Sequence, residues 1–134
     1  LDTSRITGTT VTLTAAAQAQ RDAATMHDVA QGLMAPVAEL WIFLGASLDR
    51  SELANKLAMS ERVARYWPGN SVVVRRAVFL AFDGQAEKAS SLLTRALRTF
   101  PDQLAATIST LEQARAVDPG AIEHLIVMAK AASG

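Results

Sequence analysis

Two pairs of arginines are the residues of this sequence with the clearest potential for chemistry. Arg62 and Arg65 stand three residues apart in ERVARYWPGN, and Arg95 and Arg98 keep the same spacing in TRALRTFPDQ. Side chains three residues apart on a helix share a face, and guanidinium groups bind carboxylates and phosphates through paired hydrogen bonds. The spacing therefore predicts a basic stripe that binds an anionic partner.

The two phrases are repeats, because Arg95 follows Arg62 by 33 residues and each phrase ends in an aromatic residue and a proline. A period of this length is typical of stacked helical hairpins. Trp67, the first of the two aromatic residues, either seals a turn between helices or contacts a ligand beside the arginines. The arginines likewise have an alternative interpretation, a solvated face that is paired with Glu61 and its neighbours.

The sequence offers little for catalysis. His27 and His124 fall on different predicted helices, and neither has a second ligand three or four residues away, so no metal site and no cofactor are predicted. No P-loop, dinucleotide-binding glycine motif or nucleophile elbow occurs, and cysteine is absent. We expect no catalytic residue in this chain.

Charge is balanced over the chain but unevenly distributed. Thirteen basic residues balance thirteen acidic ones, so net charge gives no support to a nucleic-acid partner. From Arg50 to Pro101, however, nine basic residues face four acidic ones, which gives this segment a net charge of +5 and leaves −5 on the rest. Both arginine pairs lie in the basic segment.

The apolar pattern predicts an all-α fold of about seven helices. Hydrophobic residues make up 50% of the chain and aromatic residues only 5%, which fits close-packed helices better than a sheet. Apolar residues recur at helical spacing between caps, prolines and glycine turns. The predicted core positions are Val37, Leu40, Trp41, Leu44 and Leu48 in helix two, Leu53, Leu57, Ser60 and Ala64 in helix three, Val73, Ala77, Leu80 and Ala81 in helix four, Ala89, Leu93, Ala96 and Leu97 in helix five, Leu104, Ile108 and Leu111 in helix six, and Ile122, Leu125, Ile126 and Ala129 in helix seven.

The same pattern divides the chain into two parts. Residues 1–13 are Thr-rich and are predicted to be a linker or an extended segment, and residues 14–134 are predicted to form a single helical-repeat domain. The first helix is expected to begin at Thr14. Because the sequence starts at Leu1 and shows no signal-peptide pattern, we expect it to be part of a longer protein.

The central helices fit the tetratricopeptide pattern, in which antiparallel hairpins cross at small residues. Ala77 takes the small position of the first helix, Gly84 the turn, Ala89 and Ala96 the small positions of the second helix, and Pro101 the terminal proline.

Two residues depart from that pattern. Arg76 stands at a position that is usually apolar, and Lys56 stands where the preceding repeat should have a small residue.

The stretch from Lys56 to Gln103 resembles the C-terminal region of membrane-bound Wzy-type O-antigen polymerases and ligases, a group that includes pilin-glycosylating O-oligosaccharyltransferases. The resemblance covers roughly Val37 to Pro119. The positions that carry it are Leu57, Ala58, Glu61, Arg62, Arg65, Pro68, Val74, Arg76, Ala77, Leu80, Ala81, Gly84, Ala89, Ala96, Phe100 and Pro101.

The resemblance implies a soluble accessory domain on the periplasmic side of the bacterial inner membrane, in a protein that transfers lipid-linked glycans. Its partners would be the membrane domain of the same polypeptide and an acceptor protein or lipid-linked glycan, with no nucleic acid. The family's catalytic residues are expected in the membrane portion, so the parent would be the enzyme. The candidate partner-binding residues of this chain are Arg62, Arg65, Arg95, Arg98 and Trp67. The alternative function is a stand-alone tetratricopeptide-like adaptor that binds a peptide or protein in its groove.

Overall fold

The computed structural model describes residues 37–133 and divides the chain between residues 42 and 43 into two units. In the first unit the described residues are 37–42, which are helical. In the second unit they are residues 43–133. The predictions for the segment 1–13, for the first helix and for His27 lie outside the described residues.

The second unit is built from helices. Residues 43 and 44 end a helical segment, and five α-helices and one 3-10 turn follow: α1 Leu53–Tyr66, α2 Asn70–Phe82, α3 Ala86–Thr99, the 3-10 turn Pro101–Gln103, α4 Leu104–Val117 and α5 Pro119–Ser133. Residues 37–133 contain no strand, so the all-α prediction is confirmed. Six of the seven predicted helices fall within this range, and all six are present.

The repeat is visible in the positions of the helices. The helices α1, α3 and α5 begin at Leu53, Ala86 and Pro119, each 33 residues after the one before. Their buried residues recur at the same interval: Lys56, Ala89 and Ile122, then Ser60, Leu93 and Ile126, then Val63, Ala96 and Ala129. The structure therefore extends the 33-residue period to a third repeat, in which the paired arginines and the aromatic residue before a proline are missing.

The helix α2 is the centre of the second unit. It packs against α1, α3, α4 and α5, while α3 and α4 each pack against α5. As a result ten of its thirteen residues are buried, among them the four predicted core positions Val73, Ala77, Leu80 and Ala81. The hairpin α2–α3 thus stacks on the hairpin α4–α5 and buries a continuous apolar core.

Two predicted turn signals have the expected geometry. Gly84, between α2 and α3, has a φ of 82°, a left-handed conformation that glycine adopts without a Cβ clash. Asp118 precedes α5, and its Oδ1 accepts a hydrogen bond of 3.2 Å from the backbone N–H of Ala121. This carboxylate satisfies one of the free donors at the start of the helix.

The start of α1 has no side-chain cap. The nearby Ser51 hydroxyl donates a 2.5 Å hydrogen bond to Asp49 Oδ1. The residue directly before α1 is Glu52, which has a φ of 52° and makes no side-chain cap.

The buried face of α1 differs from the face that the apolar spacing predicted. Of the predicted residues only Ser60 is buried, whereas Leu53, Leu57 and Ala64 are half-buried. The fully covered face passes through Lys56, Ser60 and Val63, because the segment 45–52 folds back over the polar end of the Lys56 side chain.

The prediction that Trp41 belongs to the core was wrong. The helical segment ends at residue 44, so the apolar spacing that ran on to Leu48 does not describe one helix face. Trp41 is 57% exposed, and the buried aromatic residue of this segment is Phe43. The Phe43 ring packs edge-on against Phe79 of α2, with ring centroids 5.7 Å apart.

The groups around Lys56 explain why this position departs from the tetratricopeptide pattern. Its ammonium group lies 2.9 Å from Asp49 Oδ1 and donates to the Ser47 carbonyl at 2.8 Å and the Ser51 hydroxyl at 3.2 Å. It also lies 5.4 Å from the centroid of the Phe79 ring, within the range of a cation–π contact. A lysine occupies the place of a small residue because this segment supplies oxygens for its buried charge.

Candidate partner-binding surface

The predicted arginine pairs lie on two helices that flank α2. Arg62 and Arg65 are on α1, and Arg95 and Arg98 are on α3; all four side chains are exposed. Arg65 and Arg98 stand in the last turns of their helices, where a cation complements the negative end of the helix dipole.

The chain path places these last turns at the same end of the second unit. Because α1 and α3 are each joined to α2 by a short turn and pack along it, both run antiparallel to α2. A buried hydrogen bond of 3.0 Å, from Asn70 Nδ2 at the start of α2 to Thr107 Oγ1 in the first turn of α4, holds the two helix junctions together. We call Arg62, Arg65, Trp67, Arg95 and Arg98 the basic end.

The charges of the basic end are largely uncompensated. Within residues 37–133, Arg65, Arg95 and Arg98 make no ion pair, and Glu61 makes none either. Within this range Glu61 therefore forms no ion pair with Arg65, Arg95 or Arg98. Exposed guanidinium groups without carboxylate partners remain available to an external anion.

Ion pairs do occur at the opposite end of the second unit, where α4 ends and α5 begins. Arg50 Nη1 lies 2.7 Å from Asp118 Oδ2, and Arg115 Nη1 lies 3.5 Å from Glu123 Oε1. The arginines of the opposite end are therefore paired with carboxylates, whereas Arg65, Arg95 and Arg98 are not paired with any described residue.

Aromatic side chains accompany the arginines. Trp67 N donates to Val63 O at 2.9 Å and Phe100 N donates to Ala96 O at 2.8 Å, so each residue closes its helix. Trp67 is 37% exposed, which lets it close the turn and still offer part of its ring to a partner.

Sequence reasoning left Tyr66 without a role, and the structure places it at this end with 59% of its surface exposed. No repeat signal marked it, because the equivalent residue 33 positions later is Thr99.

The remaining histidine prediction concerns His124 of α5. It is half-buried and lines a cavity of about 460 Å³ with Arg50, Phe82 and Asp118. Its Nε2 is buried and has no hydrogen-bond partner in the described part of the chain. No group of three or more His, Cys, Asp and Glu side chains among residues 37–133 is placed to hold a metal ion.

Arg75 has a structural role next to the core. Its guanidinium donates to the carbonyl of Ala46 and so ties the segment after residue 44 to α2. Burial lowers the pKa of Arg75 below its ordinary value, because desolvation disfavours the charged form.

Comparison with protein families matches residues 3–114 to the C-terminal domain of the virulence factor membrane-bound polymerase of the Wzy type. The chain belongs to this family. The polymerase C-terminal match starts at residue 3 and so includes the Thr-rich segment, which the resemblance from Val37 onward had left out, and it ends within α4. No curated protein and no solved structure matches the chain.

Family membership makes the chain a domain of a membrane-bound polymerase and suggests association with a membrane. None of the helices within residues 37–133 has the length and apolar character that crossing a bilayer requires.

Proposed function

We propose that this chain is an accessory domain of a membrane-bound O-antigen polymerase or ligase, or of a protein O-oligosaccharyltransferase, and that it positions a partner without catalysing a step itself. The domain faces the periplasm, and its hairpins stack in the tetratricopeptide manner. Two findings support this proposal: the family match over most of the chain and the 33-residue repeat of helix starts.

The observation that carries the proposal is the basic end. Three of its four arginines have no carboxylate partner among the described residues, and helix packing holds the chain segments that carry them in place. A fixed set of free guanidinium groups beside an exposed tryptophan fits an anionic partner.

The partner belongs to one of three kinds in this proposal. The basic end contacts an acidic surface of the membrane domain of the same polypeptide, an acidic acceptor protein, or the phosphate of a lipid-linked glycan. Each of these presents oxyanions to arginine. A free-standing adaptor has less support, because the family is one of membrane-bound polymerases.

The test uses the full-length membrane protein with two matched double variants. Arg65→Gln/Arg98→Gln removes two charges from the basic end, and Arg50→Gln/Arg115→Gln removes two from the opposite end. We expect the first variant to lower glycan transfer several-fold at unchanged protein level and membrane location, and the second to leave it near the wild-type rate. Equal rates in both variants would contradict the proposal.

A further inference from the structure

A second polar site lies in a cleft of about 180 Å³ that is formed by residues of α1 and α2 and the start of α3. Its charged lining residues are Glu61 of α1, Arg76 of α2 and Lys88 of α3, and Gln85 lies beside them. None of the arginines of the basic end lines this cleft.

Arg76 is the unusual member of this set. Its side chain is half-buried and its Nε is fully covered, yet no hydrogen-bond acceptor lies within reach of that atom. The guanidinium also makes no ion pair with any described residue, including Glu61 across the cleft. A partly buried cation without a partner is costly, so this group calls for a counter-ion that residues 37–133 do not supply.

Two further features of the cleft favour an anion. Lys88 has no ion-pair partner among the described residues. Gln85, at the N-cap position of the 14-residue helix α3, makes no side-chain cap, and its Nε2 donates to Asp83 Oδ2 at 2.6 Å. Lys88 and Gln85 thus place the uncapped, positive end of a helix dipole at the cleft.

We propose that this cleft binds a phosphate group through Arg76 and Lys88. The donors come from two elements: α2 supplies the guanidinium, and α3 supplies the ammonium and the uncapped backbone N–H groups of its first turn. A tetrahedral phosphate presents oxygens in several directions, whereas a planar carboxylate would be satisfied by the guanidinium alone. The site is separate from the basic end, so it does not depend on the function proposed for that surface.

In the first experiment the 134-residue chain is titrated with inorganic phosphate and with acetate, and calorimetry measures binding. In the second, sedimentation with phosphatidylglycerol vesicles is measured. Arg76→Gln should weaken phosphate binding about tenfold or more, since charge-assisted hydrogen bonds of this kind are lost. Arg50→Gln/Arg115→Gln, at two arginines outside both proposed binding surfaces, is the control for general positive charge and should leave the phosphate affinity unchanged. Phosphate binding points to a soluble phosphate compound, and vesicle binding that Arg76→Gln abolishes points to a lipid headgroup.

A second variant protects the test against misfolding of Arg76→Gln. Glu61 is the one carboxylate among the described residues that line the cleft, so Glu61→Gln should raise the phosphate affinity a few-fold by removing a repulsive charge. The proposal is overturned if neither phosphate nor vesicles bind, if acetate binds as well as phosphate, or if Glu61→Gln and Arg76→Gln leave the affinity of the wild type unchanged.

Discussion

Lys56 shows how a single residue can break a repeat pattern and still be well accommodated. The corresponding residues of the next two units, Ala89 and Ile122, are buried and uncharged. Lys56 is only 8% exposed, but its ammonium group is surrounded by oxygens of Ser47, Asp49 and Ser51. The charge therefore fastens the segment 45–52 onto α1.

Replacing Lys56 by methionine should destabilise the fold by about 2 kcal/mol, because the Ser47 carbonyl and the Asp49 carboxylate lose a charged donor while the volume is nearly kept. Urea unfolding followed by circular dichroism measures the change. The matched control is Lys88→Met, an exposed lysine without an ion pair among the described residues, for which we expect a change within about 0.5 kcal/mol. Similar losses in the two variants would show that the oxygens around Lys56 contribute little.

Asp49 makes the stability of the contacts around Lys56 depend on pH. Hydrogen bonds, first from the Ser51 hydroxyl and then from Lys56, hold the pKa of Asp49 well below its ordinary value of 3.8. A carboxylate whose pKa is lower in the folded state stabilises the fold above the unfolded-state pKa and loses that contribution as pH falls towards the folded-state pKa.

We therefore expect the wild type to lose more unfolding free energy than Asp49→Asn between about pH 5 and about pH 2.5. Denaturant titrations at several pH values measure this difference, and the other carboxylates cancel because both proteins contain them. Parallel pH profiles would mean that Asp49 titrates alike in the folded and unfolded chains.

At the scale of the elements, the turn between α2 and α3 rests on one glycine. Gly84 has a φ of 82°, and a Cβ added there would meet no atom within 4 Å. Any cost of a side chain at this position therefore comes from the backbone conformation.

Gly84→Ala should lower stability by about 1 kcal/mol, in line with the cost of the left-handed conformation for a residue with a Cβ. The control is Gly120→Ala within α5, where the new Cβ would lie 3.7 Å from Asp118 Oδ1 and φ is not positive. That substitution should be neutral or slightly stabilising, because alanine favours a helix. Thermal unfolding of the two variants gives the comparison, and a Gly84→Ala protein as stable as Gly120→Ala would contradict it.

Sequence periodicity predicted most of these elements because their apolar stripes are regular. All four buried residues of α5 were predicted. The four predicted core positions of α2 are also buried, together with six residues that were not predicted. Periodicity predicted the buried Ser60 but missed Lys56 and Thr107, since a helical stripe is defined mainly by its apolar residues.

It also failed where a helix ends early, as before Leu48. For the candidate site, the sequence predicted which arginines stand out. It contained no sign that Arg76 would lack an acceptor, because that depends on which side chains fold nearby.

At the scale of the whole second unit, residues 43–133 present two ends that differ in charge. The basic end carries four arginines, whereas Asp118 and Glu123 accompany Arg50 and Arg115 at the opposite end. Separated charges create a local potential even when the net charge is zero.

This arrangement predicts retention on a cation-exchange resin near neutral pH, although the formal net charge is +0. Arg65→Gln/Arg98→Gln should elute at clearly lower salt than Arg50→Gln/Arg115→Gln, because the latter loses charges that are already paired. The two variants have the same net charge, so identical elution would show that charge position does not matter.

The buried hydrogen bond between Asn70 and Thr107 has a consequence for assembly. Units of equal length with similar apolar faces could also stack out of order or exchange hairpins between two chains, a known failure of repeat proteins. One repeat earlier than Thr107 the equivalent residue is Val74, which is buried and apolar. One repeat later than Asn70 the equivalent residue is Gln103, which is exposed. Stacking out of order would separate this buried donor from its buried acceptor, so the one polar pair favours the native neighbour over a hairpin stacked in the wrong place.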